Sequence, residues 1–297
     1  MMSNSMWLNE EGPVSRKPGQ YIDRLKGTRL FINLCLVVMI LLTTRPLSAG
    51  DGFIPMEMLP GGSIVGVGIG AYPDYMGSDD YVIGAAPLVR FQFSGQRYVS
   101  LIANELRVNI LDDAHWRLGP SLVYRFGRKD VEDAVVKRVH EVDGSLDVGA
   151  FAGYEWFENT EPLKRIGVSG FFQADTSNSY GGWVAGAQVY GSYPVAKPLT
   201  LMAGLGTTYG NDSYMNTYFG VTPEDTQASG LQTYEAGSGF RDARVWVTAM
   251  FHFNPQWHLG LGVMYSGLFD EAGNSPIVAD RGSSNQWVCG PVGLFTW

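Results

Sequence analysis

Four histidines, His115, His140, His252 and His258, are the side chains best suited to move a proton or bind a transition metal. They are scattered, and no two have the spacing of a helical His-Glu-x-x-His metal site. His252 and His258 flank one hairpin and could approach each other, but a pair of imidazoles is a thin basis for a metal centre. Asp79-Asp80 and Asp112-Asp113 are adjacent carboxylates expected on outer loops. They read as solvated charges or weak sites for divalent cations. No Gly-x-Ser-x-Gly nucleophile elbow occurs, and Gly66-Val67-Gly68-Ile69-Gly70 reads as a glycine-rich strand rather than a phosphate loop. The residues therefore predict no catalytic set, no metal and no cofactor.

The elements around these residues belong to an exported chain. Arg24, Lys26 and Arg29 lead into an apolar run from Leu30 to Leu42, followed by Leu47-Ser48-Ala49. This order of basic region, apolar core and small-residue site predicts a signal peptide over 1–49, cleaved between Ala49 and Gly50. The run is shorter than the roughly 20 residues a membrane-spanning helix needs. Of Cys35 and Cys289, only Cys289 then survives, so no internal disulfide can form. The first 49 residues carry six basic and three acidic side chains, leaving 15 basic and 26 acidic, a net charge of −11. Such a surface disfavours nucleic acid as a partner.

From residue 60 onward the apolar pattern has period two, as in strands. Trp257, Leu259, Leu261, Val263 and Tyr265 alternate with His258, Gly260, Gly262 and Met264. Val245 to Phe253, Leu146 to Trp156 and Leu199 to Tyr209 repeat the design, with aromatics near strand ends. Charged residues are only 17% of the chain, and glycine reaches 38 residues. Trp257 and Tyr265 span roughly 26 Å at about 3.3 Å per residue, close to the ~25 Å apolar band of outer-membrane barrels. The fold expected for 50–297 is an all-β, antiparallel transmembrane β-barrel. A lipid-embedded sheet must close on itself, because a free edge would leave backbone groups unpaired.

Twelve strands are expected, with ten as the alternative: 62–72, 81–93, 97–110, 114–126, 145–156, 163–174, 180–193, 198–210, 214–221, 238–253, 256–268 and 285–297. This parity assigns 94–96, 211–213 and 254–255 to the periplasmic side. It assigns 73–80, 111–113, 157–162, 194–197, 222–237 and 269–284 to the outside. The long loop 127–144 then falls in the periplasm, against the rule that periplasmic turns are short. Val131, Val135 and Val139 recur every four residues there, which suggests a short amphipathic helix able to dock a partner.

Several stretches are similar to the MipA/OmpV family of outer-membrane proteins (MltA-interacting protein and relatives). The first is Gly68 to Tyr81, containing Pro73-Asp74-Tyr75-Met76-Gly77-Ser78-Asp79. Others are Leu118 to Arg128, then Tyr218-Phe219-Gly220-Val221-Thr222-Pro223, then Ser275-Pro276-Ile277-Val278. The resemblance implies residence in the outer membrane of a Gram-negative bacterium, amid lipid and lipopolysaccharide. It also implies a non-enzymatic role as a scaffold joining a murein lytic transglycosylase to a penicillin-binding protein. A narrow pore or an adhesion or stress-response protein is the alternative, and an outer-membrane hydrolase using an outer-loop Asp or His the minor one. The inward faces look rich in Gly, Thr and Met and poor in charge, so any pore would be narrow.

In the last strand Trp287, Cys289, Pro291, Gly293, Phe295 and Trp297 should face lipid. Phe295 and Trp297 resemble the signal read by the barrel-assembly machinery. Pro291 has no N–H for the closing ladder, so the seam should be weakest, or bulged, near it.

Overall fold

The computed structural model describes residues 62–158 and 161–297. The signal segment, with its cleavage site at Ala49 and Gly50, lies outside the described residues. Twelve antiparallel strands close into a barrel in which each pairs with its sequence neighbours and the last pairs with the first. They are β1 (Ile64–Pro73), β2 (Tyr81–Gln92), β3 (Tyr98–Ile102), β4 (Glu105–Asn109), β5 (Trp116–Arg125) and β6 (Ser145–Glu158). The circuit continues with β7 (Glu161–Asp175), β8 (Trp183–Ala196), β9 (Leu199–Gly210), β10 (Gly239–His252), β11 (Trp257–Leu268) and β12 (Asn285–Thr296). Among the described residues no helix is long and apolar enough to cross a membrane; the strands do the crossing.

The alternation sorts residues as its period requires. Trp257, Leu259, Leu261 and Val263 are exposed on the outer wall, while His258 and Met264 are buried within. Outward aromatics form two belts. Near one rim lie Trp116 against Tyr154 and Trp257 against Phe295, with ring centroids 4.8 and 4.9 Å apart. Near the other lie Phe172, Trp183, Tyr209 and Phe240 in succession, and Tyr265 against Trp287. These are the interfacial girdles of a membrane barrel.

Two elements differ from the sequence expectation. The stretch 97–110 is two strands, β3 and β4, folded at Ala103-Asn104 with Ala103 at φ +50. The stretch 214–221 is mostly helix: α1 (Asp212–Phe219) starts at Asn211, whose side chain accepts from the Tyr214 N–H. The count of twelve survives because one strand was divided and another removed. Between these points every connection changes side. The segments 111–113 and 194–197, with the described ends of 157–162, sit on the rim of short turns, and 127–144 sits on the rim of long loops with 74–80, 211–238 and 269–284. By the short-turn rule the first rim is periplasmic and the second extracellular.

The long loops carry the remaining helices: α2 (Pro223–Ser229), α3 (Asp270–Gly273) and α4 (Pro276–Ala279). α2 opens with a reciprocal capping box between Thr222 and Asp225 and closes at Gly230, at φ +83. At the seam, β1 and β12 pair from Ile64↔Thr296 to Gly68↔Val292, skip two positions, and resume at Ala71↔Cys289 without a change of register. The gap falls at Pro291, as its missing donor requires. A Cβ on neighbouring Gly290 would lie 2.0 Å from the Ile69 carbonyl, so only glycine fits that approach.

Candidate functional site

The inner wall of β4 to β7 is charged, contrary to the expectation of a lumen poor in charge. Arg107 donates from Nε to Glu105 (2.8 Å), and the Gln173 amide donates to the same oxygen (3.1 Å). Arg125 donates to Gln173 (2.7 Å) and to Asp147 (2.5 Å). Asp147 also accepts from Ser145 and from the Tyr180 phenol. Nearer the periplasm, Glu155 is paired by Arg117 at 3.1 Å and Arg165 at 3.6 Å. Each buried carboxylate is matched by guanidinium or hydroxyl donors, the condition under which charge can be held in a low-dielectric interior. An apolar cluster fills the lumen beside it: Ile64, Leu88, Tyr190, Met202, Trp246, Met250, Met264, Val292 and Leu294 pack together.

Helix α1 joins opposite walls of the lumen. Arg125 of β5 lies 5.7 Å from the centroid of the Tyr214 ring, and Arg241 of β10 lies 5.7 Å from it as well. Arg241 also donates to the Tyr214 hydroxyl. β5 and β10 stand on nearly opposite sides of the twelve-strand circuit. Tyr214, fully buried, thus sits between opposite walls in the outer half of the lumen. Tyr180, Met215, Phe219, Leu268, Ala272 and Val278 pack around it.

Above this plug the long loops form a cap. Tyr75, Val131, Val136, Val139, Val221, Leu231 and Ile277 make one buried cluster, with Val135 against it. The valines proposed from sequence as a docking stripe are therefore consumed inside the cap, on the extracellular rim. Their only regular structure is a 3-10 turn, Val136–Arg138. His140 bridges Asp225 and the Thr217 carbonyl, and Arg281 pairs with Asp133 at 2.6 Å. Burial alone would raise both carboxyls, but these hydrogen bonds outweigh it and hold them below the usual range. With both ring nitrogens of His140 engaged, it is placed as a clasp rather than a base.

The motif residues converge on this cap. Pro73 ends β1, and Asp74 accepts the Glu132 N–H at 2.9 Å. Gly77, at φ +97, donates to the Gln286 side chain at 3.0 Å, and Gln286 donates back to the Ser78 carbonyl at 3.0 Å. Asp79 is exposed beside them. Tyr218 and Phe219 end α1, Gly220 caps it, and Val221 bridges to Tyr234. Ser275 donates to the Phe219 carbonyl at 2.6 Å, and Pro276 opens α4. Segments more than 200 residues apart in the chain are locked together by these bonds.

A family model described as MltA-interacting protein MipA matches residues 65–292. The chain belongs to the MipA family. A relative in Escherichia coli (strain K12), outer membrane protein YiaT, is 25% identical over 69% of this chain and 80% of its own length. Outer membrane protein Omp26La of Vibrio anguillarum is 27% identical over 52% of this chain and 55% of its own. OmpV of Vibrio cholerae is 28% identical over the same shares. Solved barrels of similar shape include the NanC porin (TM-score 0.46, 12% identity, 78% of this chain and 99% of that one). Another is an outer membrane channel from Pseudomonas putida F1 (TM-score 0.45, 15% identity, 80% and 97%). The protein is thus a MipA-family barrel of the outer membrane.

Other residues singled out in this MipA-family chain stay apart from the cap. His252 and His258 do meet, Nδ1 to Nδ1 at 2.7 Å, at the periplasmic end of the lumen. Asp112 and Asp113 lie on a periplasmic turn rather than the expected outer loop, because 97–110 is two strands; there Asp113 accepts the His115 and Trp116 N–H groups. Phe295 and Trp297 stack at the periplasmic belt, and Trp297 exchanges backbone bonds with Ser63. Among the described residues no group of three metal-ligating side chains occurs. The network missed from sequence had a signal: Arg117 and Arg125 alternate with outward Trp116, Leu118 and Tyr124, which places them on the inward face.

Proposed function

We propose that this MipA-family barrel is a plugged, non-enzymatic protein of the outer membrane. It works by binding at the cell envelope and joins a murein lytic transglycosylase to a penicillin-binding protein from its periplasmic side. One observation carries this reading: Tyr214 bridges Arg125 and Arg241 from opposite walls, above an inner half filled by an apolar cluster and ion pairs. Such a lumen opposes free diffusion. The partner face is then the periplasmic rim, its short turns at 93–97, 110–115 and 253–256, rather than the valines of the cap. Lipopolysaccharide borders the outer belt, and β12, with Phe295 and the adjoining Trp297, is what the barrel-assembly machinery engages.

Capture of a purified lytic transglycosylase and penicillin-binding protein by the detergent-solubilised barrel tests this. A short insertion at Asn254-Pro255 should abolish capture, whereas one at Lys137 should leave it intact. Failure of the native barrel to capture either enzyme overturns the scaffold. In planar bilayers the native protein should give a flat trace and Tyr214→Ala a raised one. Stepwise conductance by the native protein would favour the narrow-pore reading instead.

A further inference from the structure

A cavity of about 130 Å³ lies beneath the cap, between the plug and the inner wall. Its lining includes Tyr75 of the first loop, Arg128 and Tyr218 of the cap, and Arg241, Asp242 and Arg244 of β10. Three buried polar atoms, Tyr75 Oη, Tyr218 Oη and Asp242 Oδ1, have no hydrogen-bond partner, and all three belong to lining residues. The Ser78 and Ser145 hydroxyls lie near the two phenols without meeting hydrogen-bond geometry. Elsewhere among the described residues only Ser121 Oγ is left in this way. Buried polar groups are rarely left unsatisfied, because desolvation is then uncompensated. Three on one cavity mark a place built to receive a polar guest.

The chemistry of the wall narrows what that guest is. Burial pushes the Tyr75 phenol up to about 12 and raises that of Tyr218, so both are neutral donors at pH 7. Arg128 is held by the Tyr218 and His140 carbonyls. Arg244 donates to Thr208 at 2.8 Å, and its Nε is 4.0 Å from Asp242 Oδ1. Counted over the lining residues alone, three guanidiniums stand against two carboxylates, Asp242 and Asp74, a local positive excess. A neutral polyol would leave that excess uncompensated, and a fully deprotonated anion such as sulfate would meet Asp242 Oδ1 with no proton to offer. A molecule carrying both a carboxylate and a hydroxyl satisfies every group.

We propose that this cavity binds a small hydroxylated carboxylate. Its carboxylate is held by the Tyr75 and Tyr218 phenols and the Arg244 side, and its hydroxyl donates to Asp242 Oδ1. The site is independent of the scaffold role. Titration calorimetry of the detergent-folded barrel at low salt, with D-glycerate as probe and glycerol and sulfate as comparisons, tests it. Glycerate should bind at least tenfold more tightly than either comparison, and Tyr218→Phe or Tyr75→Phe should weaken it about tenfold. Since neither hydroxyl meets hydrogen-bond geometry within the protein, the same variants should melt no lower than the native barrel. Absence of glycerate binding, or equal binding of glycerol or sulfate, overturns the proposal. So does a Tyr218→Phe variant that melts lower while binding is unchanged, for then ordered water alone fills the cavity.

Discussion

His140 is held between Asp225, 2.7 Å from Nδ1, and the Thr217 carbonyl, 3.1 Å from Nε2, while Arg281 holds Asp133. These two contacts tie three long loops into one cap, and their carboxyls titrate below the unfolded value of about 3.9. A depressed folded pKa stabilises fully above the unfolded value and is lost as pH falls through the folded one. The cap should therefore loosen on acidification below about pH 4. Near-ultraviolet circular dichroism melts, which report the packed tyrosines of the plug, should show a falling midpoint there. An Asp133→Asn, Asp225→Asn double variant should start lower at pH 7 and lose that slope; an unchanged slope would assign the acid sensitivity elsewhere. None of this pairing is visible in sequence, where His140 and Asp225 stand 85 residues apart.

At the scale of elements, the seam between β1 and β12 makes a sharper statement. Trp297 and Ser63 exchange both backbone bonds, so the odd-numbered residues of β12 are those that donate toward β1. Pro291 is one of them and should have met Ile69, where the ladder is broken. Pro291→Val supplies the donor on an outward face where an apolar side chain belongs. It should stabilise the barrel by about 1 kcal/mol, read as a higher temperature for loss of the folded band in SDS gels; no change or a decrease would show that the gap lies outside Pro291. That weakness was legible from one residue type. The β3–β4 turn was not, because Ala103-Asn104 carries no glycine or proline and its positive φ is rare for alanine. Helix α1 was hidden for the opposite reason: Tyr214 to Val221 is rich in aromatics that favour strands, and only the Asn211 cap and the Met215 to Phe219 spacing mark a helix.

For the whole molecule, those two local misreadings decide which side of the membrane half the loops occupy. The structure puts 127–144 outside. With Cys289→Ser as background, Lys137→Cys should react with a membrane-impermeant maleimide on intact cells, and Gln256→Cys only after permeabilisation; the reverse pattern would invert the barrel. Closed strand circuitry, lipid-facing residues, aromatic belts and the weak point at Pro291 were all determined by sequence alone, because each follows from period-two alternation or from one residue's own chemistry. The sidedness of the loops, the charged lumen wall and the Tyr214 plug were decided only by tertiary structure. Sidedness depends on the parity of every preceding strand, so a single missed turn inverts it. The plug depends on side chains from β5, α1 and β10 meeting in one place, and no local pattern records a meeting of distant segments.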